Sequence, residues 1–383
     1  MKTLLKNGLL YLNHGFEKKD LLLRDGIISQ IGESLEDGEA EVTDLEGKKV
    51  APGFFDIHTH GAVNVDVNAA SAEDFEAICR FFASKGVTSW LCSILTDTRE
   101  QTLACIEEYK RWKTLEHKGA DLAGIHLEGP FLCAEYKGAM PEHLLRPADL
   151  ELLKEYQEAA GGDIRYITVS PEVEGIVDMI PEIKKLGIQT AIGHSGADYD
   201  TARAAIKNGA AASTHTGNAM KLLHQHFPAI WGAVLEDDDL YCEMICDGRH
   251  LHPGTVRLII KTKGLDRVIA VTDSIMASGL PDGKYKLGVN DVVVVDGDAK
   301  LAVGGSRAGS TLTMDAALRN LLEFTGRPIE ELIPVMTENP ARLMGMYGSI
   351  GSIDTGKDGD LVVLDEENRV FSTYSKGKMQ YHV

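Results

Sequence analysis

The sequence predicts an α/β chain, a (β/α)8 barrel of the TIM type with a small β-sandwich domain formed by both termini. Three observations predict it. Residues 53–339 alternate short apolar runs with amphipathic helical stretches, and the runs number eight, the count of a closed barrel. Residues 1–52 and 340–383 break that rhythm and read as short strands joined by turns. The length of 383 residues exceeds the roughly 250 of a bare barrel, which leaves room for an accessory domain.

In chain order, LLKNGLLYL, DLLLRDGIISQIG and EVTDLEGKKVAPG supply the N-terminal strands. The barrel candidates follow: FFDIHTH (54–60), TSWLCSIL (88–95), LAGIHLEG (122–129) and IRYITVSPE (164–172). QTAIGHS (189–195), AASTHTGN (211–218), LYCEMICDG (240–248) and RVIAVTDS (267–274) complete the eight. Between them lie helical patterns such as SAEDFEAICRFFASKG, with Ser71 as the N-cap and Gly86 as the stop. After the eighth run, VVVVDGDAKLAVGG reads as a hairpin. The glycine-rich loop Gly304 to Ser310 then precedes a helix starting near Thr311. GSIGSIDTGKDGDLVVLDEENRVFSTYSKGKMQYHV returns the chain to the small β domain.

Composition narrows the function classes. A chain 44% hydrophobic and 25% charged has material for a sizeable core and is not a disordered one. Its net charge of −19 argues against nucleic acid or an anionic membrane as partner. An anionic small substrate stays open, because a few local cations override a negative background. The six cysteines include no CxxC pair and read as reduced thiols of a cytoplasmic protein. The first residues meet charges at once, unlike a signal peptide, and no apolar run is long enough to span a membrane.

The chemistry sits at the ends of the strands. In a barrel of this kind the site is built from residues at the C-terminal ends of several strands. His58 and His60 close the first run two positions apart, so their side chains share a face. Glu128 closes the third, His194 the fifth, His215 the sixth and Asp273 the eighth. Imidazole and carboxylate together suit Zn²⁺, Fe²⁺ and similar divalent ions. One HxH alone would be weak, since either histidine could be a packing residue; six such residues at the ends of five strands point to a metal centre. His126, two before Glu128, faces inward either as a partner of the ligands or as packing. His14, His117 and His382 read as surface residues, and His224 and His252 as loop residues without a role.

The motifs APGFFDIHTHG, GIHLEGPFL, IGHSGADY, THTGNAM, ICDGRHLHP, VTDSIMASGLPDG and GGSRAGSTLTM resemble those of the N-acetylglucosamine-6-phosphate deacetylases of the amidohydrolase superfamily, over nearly the whole chain. The resemblance implies hydrolysis of an N-acetyl group on an amino-sugar phosphate, with one or two divalent ions, zinc or iron. It implies Glu128, His194 and His215 at the main metal, His58 and His60 at a second with Glu128 bridging, and Asp273 as the acid/base. Asn218 and Ala219 match positions that touch sugar and phosphate, and His250 a phosphate or hydroxyl contact. A homodimer is implied in the same way, and the glycine-rich loop is implied to line the sugar site.

Two positions depart from the family pattern. Met140 stands where KGAH supplies a carbonyl-polarising histidine, and His143 is the nearest alternative. His226 stands nearest the place of a phosphate-binding arginine, with Lys221 or Arg249 as possible compensation. Three alternatives therefore stay open: a deacetylase of another N-acyl amino sugar, phosphorylated or not; a hydrolase of cyclic amides; and a non-enzymatic sugar sensor.

Overall fold

The computed structural model describes residues 2–383. Eight strands run parallel and in chain order: Phe54–Thr59, Val87–Leu95, Asp121–Glu128, Ile164–Val169, Gln189–Ile192, Ala212–Ser213, Tyr241–Ile245 and Val268–Val271. Each is hydrogen-bonded to the next. The ring closes between the first and the last. There Thr59 bridges to Ser274, the Asp273 N–H donates to the His58 carbonyl at 2.8 Å, and the His60 N–H donates to the Ser274 carbonyl at 2.7 Å. All eight expected strands are present. Several stop earlier than their apolar runs suggest, because their last polar residues leave the sheet to line the mouth.

Helices Asp74–Ala83, Arg99–Lys113, Leu150–Ala159, Ile176–Lys185, Tyr199–Lys207, Ala229–Glu236, Pro253–Lys263 and Met314–Thr325 follow the strands in turn. The first buries Phe75, Ile78, Cys79 and Phe82, a spacing of three and four that puts one stripe on the barrel. Its start differs from expectation. Ser71 lies before a turn, Glu73 holds the cap position without a side-chain bond, and the Ser71 hydroxyl donates to the Asp74 carboxylate at 2.7 Å. The last of the eight begins at Met314 rather than near Thr311, whose hydroxyl is held in the loop by the Gly297 carbonyl at 2.8 Å. His252 has a structural role after all: its ring accepts the Gly254 N–H at 3.1 Å and caps Pro253–Lys263. None of the described helices is long and apolar enough to cross a membrane.

Between the eighth strand and its helix, Gly283–Leu287, Asn290–Val295 and Asp298–Leu301 form a small antiparallel sheet. The hairpin was legible; its first strand, GKYKL, was too short and polar to read. This sheet packs over the mouth through Leu287, Val292, Val294 and Ala299, against Leu95, Leu132 and Met140.

The terminal strands join one continuous sheet. Lys49–Pro52 from the N-terminal part pairs antiparallel with Leu361–Leu364 from the C-terminal part. Period-two alternation then divides the two faces. Val50, Leu361 and Val363 enter the sheet's own core with Leu5, Leu10, Leu21 and Leu23. Ala51, Val362 and Leu364 face the other way, into the barrel core.

Asp360, at the edge of this junction, carries a pH dependence. It is buried, its Oδ1 accepts the Lys376 N–H at 2.6 Å, and burial pushes its carboxyl from 3.8 up to about 7. The folded chain therefore holds this proton more tightly than the unfolded chain does. The stability this adds is present below pH about 4 and is lost as pH rises through about 7, at up to roughly 1.4 kcal/mol per pH unit. Asp360→Asn keeps an acceptor for Lys376 and removes the titration. Its melting temperature is expected to gain on the wild type between pH 5 and pH 8, and an equal gap at both values would exclude this account.

Candidate metal centre

His58 lies within the first strand and His60 just past it, while Thr59 between them turns to the seam and meets the Ser274 hydroxyl at 2.7 Å. Glu128 is the last residue of the third strand. His194, His215 and Asp273 each stand two positions beyond their strand, and each has left-handed backbone, with φ of 47°, 27° and 49°. Such a conformation costs a non-glycine residue on the order of 1–3 kcal/mol and persists only where the surroundings enforce it. Here they do. The Ser170 hydroxyl donates to the His194 carbonyl at 2.6 Å, and the His215 N–H donates to Glu243 at 3.0 Å. Asp273 is held through its N–H to His58 and through its carbonyl, which accepts the Ser310 N–H at 2.7 Å. Gly309 allows this last approach: its φ is +57°, and a Cβ there would lie 2.9 Å from the Asp273 carbonyl oxygen.

The six side chains converge. Glu128 Oε1 lies 3.1 Å from His194 Nε2, 3.3 Å from His215 Nε2 and 3.4 Å from His58 Nε2, and its Oε2 lies 3.0 Å from His60 Nε2. Asp273 Oδ1 stands 3.3 Å from His60 Nε2 and 3.7 Å from His58 Nε2. All are buried. They divide into two trios that could each hold a metal ion, His58 with His60 and Asp273, and Glu128 with His194 and His215; within each trio one donor atom per residue lies within 4.8 Å of the others. Burial alone would lower the histidine pKa values, but Glu128 and Asp273 outweigh it and raise His60 to about 9. Against burial, His58 and His60 hold Glu128 well below the usual carboxylate range. His60 and His58 likewise hold Asp273 low. Protons thus sit where a cation would go. His58 Nε2, aimed into the cluster, has no hydrogen-bond partner, and the donor set is that of a zinc or iron site.

A layer of buried polar residues supports this cluster, His126 among them as the sequence suggests and Glu243 unforeseen. His126 bridges the Ser93 hydroxyl at 2.8 Å and the Thr168 hydroxyl at 2.9 Å beneath the His58 ring. Burial holds it well below the usual histidine range, so it is a neutral packing partner. Glu243, from the seventh strand, reaches His58 from below. A glutamate inside the apolar run YCEMI was the signal that could have found it, because a buried carboxylate requires partners.

Above the cluster lies a cavity of about 480 Å³. Asn218, Ala219 and His250 line it, with His250 oriented by Asp247 at 2.7 Å. His143, His226 and Arg249 do not. His143 is exposed on a short turn, His226 is exposed in the loop after Met220, and Arg249 is exposed and donates to the Asp296 carbonyl. Met140 lines the cavity and belongs to the apolar cluster under the small antiparallel sheet. The glycine-rich loop contributes Ser306, Arg307, Ala308 and Gly309, and Arg307 is forked onto Asp298 at 2.9 and 3.2 Å. Lys137 also reaches the lining.

A (β/α)8 barrel with two trios of buried histidine and carboxylate groups at its mouth, each able to hold a divalent ion, is the architecture of a metal-assisted hydrolase. The chain belongs to the amidohydrolase family, whose model matches residues 50–380, and it is a hydrolase of amide C–N bonds. It is 35% identical over 333 residues to the N-acetylglucosamine-6-phosphate deacetylase of Bacillus subtilis (strain 168), covering 86% of this chain and 84% of that one. It is 32% identical over 359 residues to the N-acetylgalactosamine-6-phosphate deacetylase of Escherichia coli O157:H7, covering 94% of each. Among solved structures it superposes with a TM-score of 0.91, at 30% identity and 99% coverage of both chains, on the Mycobacterium smegmatis N-acetyl-D-glucosamine-6-phosphate deacetylase. That structure is of an aspartate-to-alanine mutant in complex with N-acetyl-D-glucosamine-6-phosphate.

Proposed function

We propose that this chain removes the acetyl group of N-acetylglucosamine 6-phosphate with water, yielding acetate and glucosamine 6-phosphate. The observation that carries the reading is the convergence of four imidazoles and two carboxylates on the floor of a cavity large enough for a sugar phosphate. His58, His60, Glu128, His194 and His215 would hold one or two zinc or iron ions. A cation there supplies Lewis acidity and a more acidic water. Asp273 accepts a proton from the attacking water and delivers it to the departing nitrogen, which cannot leave as an amide anion. Asn218, Ala219 and His250 orient the sugar. A hydrolase of cyclic amides with a carboxylated lysine is disfavoured, since the fourth strand, Ile164–Val169, offers no lysine, and Glu128 from the third strand would serve in its place.

A second reading keeps the reaction and changes the sugar. His226 and Arg249 stand off the cavity, and one relative takes the galactosamine epimer. The test is amine release by zinc-loaded protein from N-acetylglucosamine 6-phosphate, N-acetylgalactosamine 6-phosphate and plain N-acetylglucosamine, side by side. Highest kcat/KM on the first is expected. An equal or better rate on the plain sugar would remove phosphate from the reading, and preference for the galactosamine ester would change the epimer.

A further inference from the structure

We propose that Glu243 is a positioning residue for the metal centre, fixing the His58 ring from below and the His215 main chain beside it. The proposal rests on the reading of the cluster as a metal site. Glu243 lies in the middle of the seventh strand, fully buried. Its Oε2 stands 3.0 Å from His58 Nδ1 and accepts the His215 N–H at 3.0 Å. Its Oε1 accepts the Tyr166 hydroxyl at 2.5 Å. The main-chain N–H can only donate, so the oxygen facing His58 is an acceptor, and Nδ1 carries the ring hydrogen. Once the ring gives up its second proton, the Nε2 lone pair is left toward Glu128 and Asp273.

The other ligands show how unusual this tether is. His60 Nδ1 meets the Ser93 carbonyl at 2.9 Å, and His194 Nδ1 meets the Tyr136 carbonyl at 2.8 Å. Only His58 is steered by a carboxylate, which also makes an imidazole a stronger donor to a cation. His215 Nδ1 has no hydrogen-bond partner, so that residue depends on its main-chain bond to Glu243 and on its left-handed φ. Glu243 therefore connects the two trios from the seventh strand, as Glu128 connects them within the cluster. Tyr166 keeps the carboxylate from rotating away.

The experiment is zinc binding by competition with a chromogenic chelator, combined with ¹⁵N-histidine spectra of the metal-free protein, raised in pH until the rings are neutral, that report ring tautomers. Glu243→Ala is expected to weaken zinc binding roughly 10–100-fold and to release His58 from its Nδ1–H tautomer. Glu243→Gln should rescue much of this. Its amide oxygen can accept from His58 and His215 while its NH₂ faces Tyr166, so the tautomer is kept and affinity falls less. Tyr166→Phe, which leaves the carboxylate in place, should weaken zinc by a few fold and serves if the alanine variant does not fold. Wild-type zinc affinity in folded Glu243→Ala with the His58 tautomer unchanged, or wild-type zinc affinity in Tyr166→Phe where the alanine variant does not fold, would overturn the role of Glu243 alone. Failure of the wild-type chain itself to bind zinc would instead overturn the reading of the centre, and this inference with it.

Discussion

Replacing Asp273 with asparagine is expected to lower kcat roughly 10²–10⁴-fold, the span of a positioned acid/base, while bound metal stays at the wild-type level. Asparagine is isosteric, and its amide oxygen still presents lone pairs to the cluster. Its main-chain bonds to His58 and Ser310 do not involve the side chain, so the left-handed backbone is held as before. What disappears is a carboxylate that His60 and His58 keep ionised against the cost of burial. Without it, no group at that point takes the proton of the attacking water. Steady-state kinetics beside metal analysis separates the two quantities. Turnover within a few fold of wild type would take proton transfer away from Asp273.

The second large effect is at Glu128. Its two oxygens lie within 3.4 Å of an Nε2 of each of His58, His60, His194 and His215. Glu128→Ala leaves four imidazoles facing one another without the negative charge that gathers them or a cation. Metal is expected to be lost on dialysis, and activity should fall to that of chelator-stripped wild type. Metal retained at the wild-type ratio would remove Glu128 from the ligand set. The contrast with Asp273→Asn is diagnostic: one variant loses turnover with its metal in place, the other loses both together.

These residues were readable because each terminates an apolar run. Parallel strands buried on both faces show as continuous hydrophobic stretches, and the polar residue that ends one stands out, as His194 does after QTAIG and His215 after AAST. The rest was hidden for reasons of the same kind. Glu243 sits inside its strand, so nothing marks it as the end of anything. His143, His226 and Arg249 lie in segments whose course is set by packing elsewhere, and no local pattern tells which way such a segment turns. Met140 reads as a missing histidine in the motif. In the fold it is a core residue, seated under a sheet whose first strand has no strong pattern. Ser71 shows the limit on helix starts: its side chain meets Asp74 as a cap would, yet the helix begins later, past a turn.

The closing seam of the barrel gives the centre a place in the life of the chain. Thr59 and Ser274 meet across 215 positions of sequence, and the ligands beside them come from the first and the last strands of the ring. A nascent chain that has emerged only as far as its seventh strand has most of the histidines but no Asp273 and no closed mouth. Long-range contacts of this kind form late, after much of the chain entropy has been lost. A cation bound across the seam then favours the closed ring in proportion to its free concentration over its dissociation constant. Metal bound there would act as a clasp on a finished barrel, and fragments ending before the eighth strand would lack the means to fasten it.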